Sequence, residues 1–208
     1  QMSSSQLDLP PIYQFPPLFT RQPNKTIKIK QIETWINIIL TNCERCKIWV
    51  MSKNGDMKLT SKDTGLIETI NIFQNSKINR SCSQIFVNEI LLTMKRQNQI
   101  LNKDGKPPKI LNMNTTVEND DTVYDDDFFI LWKSLDQWAS EILYWFERTT
   151  QLNKVVTFYE IVSNEENSEE SFYSMPEFLL YQVLKILVRR GRATMLKDDS
   201  KYVAIKVV

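Results

Sequence analysis

Apolar residues along the first half of the chain recur at helical spacing and then switch to strand spacing. Ile29, Ile32, Trp35, Ile36, Ile39 and Leu40 fall three to four apart, which predicts one amphipathic helix with its polar residues opposite. Lys47 to Met51 reads as a short strand. Residues 66–73 fit either a short helix or an irregular link. A second helix follows, with Phe86, Val87, Ile90, Leu91 and Met94 on one face and Ser81-x-x-Gln84 as its capping box. Ile100 and Leu101 open a hairpin, and Phe128 to Trp132 reads as its returning strand.

The second half repeats this grammar. Ser134-x-x-Gln137 caps a helix whose stripe is Leu135, Trp138, Ile142, Trp145 and Phe146. Val155 to Thr157 predicts a strand that enters a short helix over 158–162. Ser174-x-x-Glu177 is a third capping box, and the helix it opens runs to Arg190, where Gly191 stops it. Residues 193–197 and 202–207 then form a hairpin around the turn at 198–200. Helix, strand, helix, helix, hairpin is winged-helix order, and it is read here twice. The expected fold is therefore α+β and helix-rich, with two tandem winged-helix domains. The boundaries are an extended arm over 1–24, a first domain over 25–132 and a second over 133–208. The polar and then acidic stretch, about 102–127, is assigned to the first domain as a long wing loop, with a linker between the domains as the alternative reading.

The arm is set apart by its prolines. Pro10-Pro11-Ile12-Tyr13 and Pro16-Pro17-Leu18-Phe19 repeat one pattern, with Phe15 between them. Paired prolines hold the backbone near polyproline II, so little entropy is lost on docking. An exposed strip of such residues is an interaction surface by default. Three readings of it are a groove-filling arm for a partner protein, a WW-domain ligand at Tyr13, and an arm folded onto its own first domain.

Composition narrows the chemistry. Histidine is absent, which removes the usual general base and the commonest metal ligand. Cys43-x-x-Cys46 is joined only by Cys82, too few ligands for a structural zinc site, and it follows a helix instead of opening one. No phosphate-cradling glycine motif or nucleophile elbow occurs. No catalytic residue, metal ligand or cofactor is expected, and the chain reads as a non-enzyme. The segment before Arg21 lacks Lys and Arg and is broken by four prolines, so it does not read as a leader. Together with three cysteines, an odd number, this predicts a cytoplasmic protein.

Net charge is +1, unevenly spread. Residues 1–117 carry 16 basic and 8 acidic side chains, whereas Glu118, Asp120, Asp121 and Asp125 to Asp127 form an acidic run. The helix over 174–190 stands where DNA-binding winged helices place their reading helix. Its predicted outer face carries Phe178, Tyr181, Gln182, Lys185 and Arg189, and aromatics there suit a protein groove better than phosphate. A winged-helix nucleic-acid binder is the alternative function.

The stretch from Pro10 to Asn24 resembles the amino-terminal segment of the small, arm-forming subunits of the ESCRT-II endosomal sorting complex. So do Phe129 to Ala139, Arg192 to Lys197 and the ending Ala204 to Val208, and the similarity is closest to fungal members. The resemblance implies a scaffold present in two copies per complex. Its arm and first domain grip the two larger ESCRT-II subunits. Its second domain recruits the first-acting ESCRT-III subunit, for sorting of ubiquitinated cargo into multivesicular bodies. It implies no nucleic acid, and membrane association at the endosome only through the complex. By motif, the partner contacts are Pro10, Pro11, Ile12, Tyr13, Pro16, Pro17, Leu18 and Phe19, with Phe19 standing where a second Tyr is expected. Phe15, between the two strips, is added from the pattern itself.

Overall fold

The computed structural model describes residues 7–61, 63–110 and 127–208. The chain divides into two compact units, one formed by 1–102 and 106–132, the other by 103–105 and 133–208.

In the first unit, two consecutive 3-10 turns, Pro11–Gln14 and Pro16–Phe19, precede the helix α1, Lys25–Cys46. Asn24 caps α1 by accepting from the Ile27 amide at 3.1 Å. Its apolar stripe buries Ile32, Trp35, Ile36, Ile39 and Cys43. The helix ends as Lys47 turns into the left-handed region, where the Ile48 amide reaches back to the Cys43 carbonyl. The C-x-x-C pair thus occupies the last turn of a helix. Burial pushes the Cys43 thiol well above its ordinary range, which keeps it protonated and inert.

Strands β1 (Val50–Ser52), β2 (Asp56–Thr60) and β3 (Ile67–Asn71) follow, then the short pair β4 (Gln74–Asn75) and β5 (Arg80–Ser81). Of residues 66–73, left open between helix and link, Ile67–Asn71 form a strand. Their register on β2 runs from Asp56 opposite Asn71 to Thr60 opposite Ile67. The three-residue spacing of Ile67 and Ile70 imitates a helix. The decision comes from the turn before it, where Gly65 takes φ +68° and the Ser61 amide bonds the Leu66 carbonyl. Where winged-helix order expected a second helix, this unit carries a β-hairpin.

Helix α2 (Gln84–Arg96) begins two residues later than its expected capping box. Ser81 lies in β5, and Ser83 caps instead, accepting from the Phe86 amide. Strand β6 (Ile100–Leu101) pairs with β7 (Asp127–Ile130), Ile100 opposite Ile130, so the chain does return after the long loop. Most of that loop, 111–126, lies outside the described residues. The sheet order is β3-β2-β1-β7-β6.

In the second unit, α3 (Leu135–Arg148) opens on the Ser134–Gln137 capping box, with both reciprocal bonds made. Strand β8 (Val155–Thr157) leads into α4 (Phe158–Val162), which has a capping box of its own, Thr157 with Glu160. Helix α5 (Glu177–Arg189) departs from expectation at its start. Ser174 sits at φ +66° and is not the cap; the helix begins directly after Pro176, with no side-chain cap at that position. Gly191 ends it at φ +73°. The hairpin of β9 (Ala193–Asp198) and β10 (Lys201–Val207) completes a sheet of order β8-β10-β9. First strand, last strand, middle strand is also the order of β1-β7-β6. Both units are winged helices with one wing topology. Among the described residues no helix is long and apolar enough to cross a membrane.

Candidate protein-binding surfaces

The proline segment is not an extended strip. A proline at the start of each 3-10 turn fixes φ where the turn needs it, and the missing N–H is one the turn would leave unpaired anyway. The folded turns give the segment two faces. Tyr13, Leu18 and Phe19 point inward and belong to the core of the first unit. Pro11, Ile12, Gln14, Phe15 and Pro17 remain outward, with Ile12 41% and Phe15 56% exposed. Pro10 and Pro16 are half-buried between the faces.

The inner face is an aromatic nest. Ring centroids of Tyr13 and Phe19 lie 5.3 Å apart, Phe19 and Trp35 5.2 Å, and Trp35 and Phe73 5.2 Å, the first two pairs edge to face. Each buried arm side chain contributes roughly 1.5–3 kcal/mol of transfer energy, which offsets the entropy of ordering the segment.

Polar groups lock this seat. The buried Gln31 amide donates to the carbonyls of Leu18 at 2.9 Å and Thr20 at 2.7 Å. The Trp35 indole donates to Leu18 O at 3.0 Å, and Asn75 donates to Tyr13 O at 2.8 Å. The Tyr13 hydroxyl donates to Ile72 O at 2.9 Å. Arg21 closes the segment with a forked bond to Glu89, whose carboxyl is held below its usual range chiefly by that hydrogen bond. The periodic reading missed Gln31 and Asn75 as clamps. A glutamine at i−4 from a buried tryptophan, inside an apolar stripe, was the available signal.

Burial, with a smaller contribution from Cys82, pushes the Tyr13 phenol up to about 12, against about 10 for a free tyrosine. The unfolded chain therefore loses this proton before the folded one does. The stability the phenol contributes is complete below pH about 10 and fades as the pH rises to about 12. Tyr13→Phe is expected to flatten that alkaline limb relative to wild type in urea midpoints measured across the range. Cys82, pushed up to about 12 by burial, remains in both proteins, so the difference reports Tyr13.

The second unit presents a different surface. Tyr181 on α5 stacks on Tyr202 of the wing, centroids 5.4 Å apart. Lys185 lies 5.0 Å over the first ring and Lys197 4.6 Å over the second, with Phe178 exposed beside them. Gln182, expected on this face, is buried. The basic residues that follow α5 are engaged within the unit. Arg190 meets Asp136 at 3.3 Å and Ser140 at 3.2 Å, while Arg192 meets the Val208 carbonyl at 2.7 Å and Glu147 at 3.4 Å. Guanidinium groups so occupied are poor phosphate ligands, which weighs against nucleic-acid reading by α5. Among the described residues no cluster of three or more His, Cys, Asp or Glu side chains is arranged to hold a metal ion.

Residues 12–176 match the family described as ESCRT-II complex subunit. The chain is 45% identical to vacuolar protein-sorting-associated protein 25 of Saccharomyces cerevisiae, over 96% of this chain and 98% of that protein. It is 26% identical to the Xenopus laevis protein of the same name, covering 88% and 89%. A crystal structure of subunit VPS25 of the endosomal trafficking complex ESCRT-II superimposes with a TM-score of 0.76 at 44% identity, covering 96% of this chain and 100% of that one. The corresponding chain in a crystal structure of the endosomal complex ESCRT-II, VPS22/VPS25/VPS36, gives 0.75 at 43%, covering 94% and 97%.

Proposed function

Because the chain belongs to the family of ESCRT-II complex subunits, we propose that it is a non-catalytic scaffold whose arm and first domain dock on the two larger subunits of that complex. The solved complex of its relative holds VPS22 and VPS36, and these are the partner types the reading names. Two copies of this chain serve one complex. The functional divisions are the arm, 1–24, the first domain, 25–132, and the second domain, 133–208. The second domain recruits the first-acting ESCRT-III subunit, and the tyrosine–lysine surface of α5 and the wing is our candidate for that contact. The protein works from the cytoplasm and reaches the endosome membrane through its complex, where it serves cargo sorting into multivesicular bodies.

The observation that carries the docking reading is the two-faced arm. Its inner rings are fixed by the core and by Gln31, Trp35 and Asn75, so the outer pair Ile12 and Phe15 is presented on a preorganised segment. A rigid apolar pair with proline neighbours inserts into a partner at little entropic cost. Pro10, Pro11, Pro16 and Pro17 shape the contact, whereas Tyr13, Leu18 and Phe19 act through folding. The double variant Ile12→Ser/Phe15→Ser is expected to weaken binding to the co-expressed larger subunits by at least about tenfold, with thermal unfolding unchanged. Binding at wild-type strength by this variant refutes the docking role.

A further inference from the structure

We propose that Pro10-Pro11-Ile12-Tyr13 is a WW-domain ligand that this fold keeps closed, so that it is offered only when the arm leaves its seat in the first unit. Its two prolines and its tyrosine are the groups that fill the aromatic groove of such a domain. The second strip ends in Phe19 and lacks the tyrosine. Closure requires only the folded arm, whatever its outer face docks on.

Three features of the seat close the motif. A WW groove reads prolines in polyproline II, an open backbone without internal hydrogen bonds. Pro10 has that geometry, at φ −66° and ψ 159°, but Pro11–Gln14 wind into a 3-10 turn, and the Tyr13 amide donates to the Pro10 carbonyl at 2.9 Å. The Tyr13 ring is 6% exposed and packs on Phe19 and Trp35, so it cannot enter a second groove at the same time. Both polar ends of the residue are also occupied. Its hydroxyl donates to Ile72 O at 2.9 Å, and Asn75 donates to its carbonyl at 2.8 Å.

The seat can open without dismantling the body. Among the described residues, no arm residue belongs to a strand of any sheet. The arm is tied to the body through side chains instead: Asn42 on Asp8, Asn75 on Tyr13, and Gln31 and Trp35 on the carbonyls of residues 17–20. Unseating therefore costs ring burial and these hydrogen bonds while the strands stay paired, which is a local opening and not a global one. A domain that binds only the open arm has its affinity lowered by the fraction of chains that are open. Weakening the seat must then raise that affinity by the factor in which it raises the open fraction, with the motif itself untouched.

The test measures binding of a purified WW domain of the Pro-Pro-x-Tyr class to a peptide of residues 7–20 and to the full chain, as wild type, Gln31→Ala and Phe19→Ala. The peptide has no seat and is expected to bind, and the wild-type chain to bind at least about a hundredfold more weakly. Gln31→Ala removes the amide's bonds to the arm and is expected to recover about tenfold. Phe19→Ala removes the ring beside Tyr13 and should recover more. In Gln31→Ala, hydrogen-exchange protection of β1 to β3 should match wild type, so that the arm opens while the unit stays folded. Adding Tyr13→Ala to either variant should abolish the recovered binding. The proposal is overturned by a wild-type chain that binds as tightly as the peptide, by a peptide that does not bind, or by variants no tighter than wild type. Binding that survives Tyr13→Ala would place the contact elsewhere, and loss of β1 to β3 protection in Gln31→Ala would make the opening global; either result also overturns it.

Discussion

Phe19→Ala is expected to destabilise the first unit by about 3–5 kcal/mol, whereas Phe15→Ala should change its stability by no more than about 0.5 kcal/mol. The two phenylalanines are four residues apart in one proline-rich segment, yet Phe19 is 2% exposed and Phe15 is 56% exposed. Phe19 touches both Tyr13 and Trp35 edge to face, so its loss leaves a cavity lined by rings that are themselves anchored. The Trp35 indole is tied to Leu18 O and the Tyr13 hydroxyl to Ile72 O, which prevents the walls from collapsing inward. Such a site pays both the transfer loss and the cavity term. Peptide-resolved hydrogen exchange in rising urea would measure this, with the second unit as an internal reference. Equal protection of the first unit in Phe19→Ala and wild type would remove the arm from its core.

The second large effect is expected far from the arm in sequence. Gly55 stands at φ +91° in the turn between β1 and β2, a backbone region that side chains rarely adopt. A Cβ there would lie 2.2 Å from Phe73 Cδ2 and 2.7 Å from Cε2. The Phe73 ring is buried and packs on Trp35 at 5.2 Å, so a displaced ring disturbs the arm's seat. Backbone strain and overpacking together predict that Gly55→Ala costs about 2–5 kcal/mol. Because the displaced ring presses on Trp35, residues 13–19 should exchange faster with solvent than in wild type. A Gly55→Ala protein with an unchanged urea midpoint would show that the turn and ring can relax independently. Gly65, also at positive φ, has open space where a Cβ would go, so Gly65→Ala meets strain alone.

What was legible in the sequence follows the range of the signal. The Ser134 capping box and the Gly191 stop depend on residues within a turn or two of one another and formed where expected, while the stripe of α1 is buried from Ile32 to Ile39 but leaves Ile29 exposed. Two other boxes failed for a common reason. Ser81 and Ser174 satisfied the spacing, but neighbouring structure placed Ser81 in a strand pair and Ser174 in the left-handed region. The β2–β3 hairpin escaped because isoleucines three apart fit a helix equally well, and what separates the two is the turn at Gly65 that lays the segment on β2.

The partner surface divides along the same line. By itself, the sequence determined two units of winged-helix order behind a proline-aromatic segment, since apolar periodicity is a local property of the chain, whereas the folding of that segment into 3-10 turns in place of an extended strip came only with the structure. Which of those aromatics stay exposed was decided by tertiary structure alone. A side chain points outward or inward according to where carbonyls of residues 13, 18 and 20 find Asn75, Gln31 and Trp35, and those donors lie between 11 and 62 positions away. No local pattern encodes that choice, because it is made by hydrogen bonds and ring contacts that exist only once the core has closed.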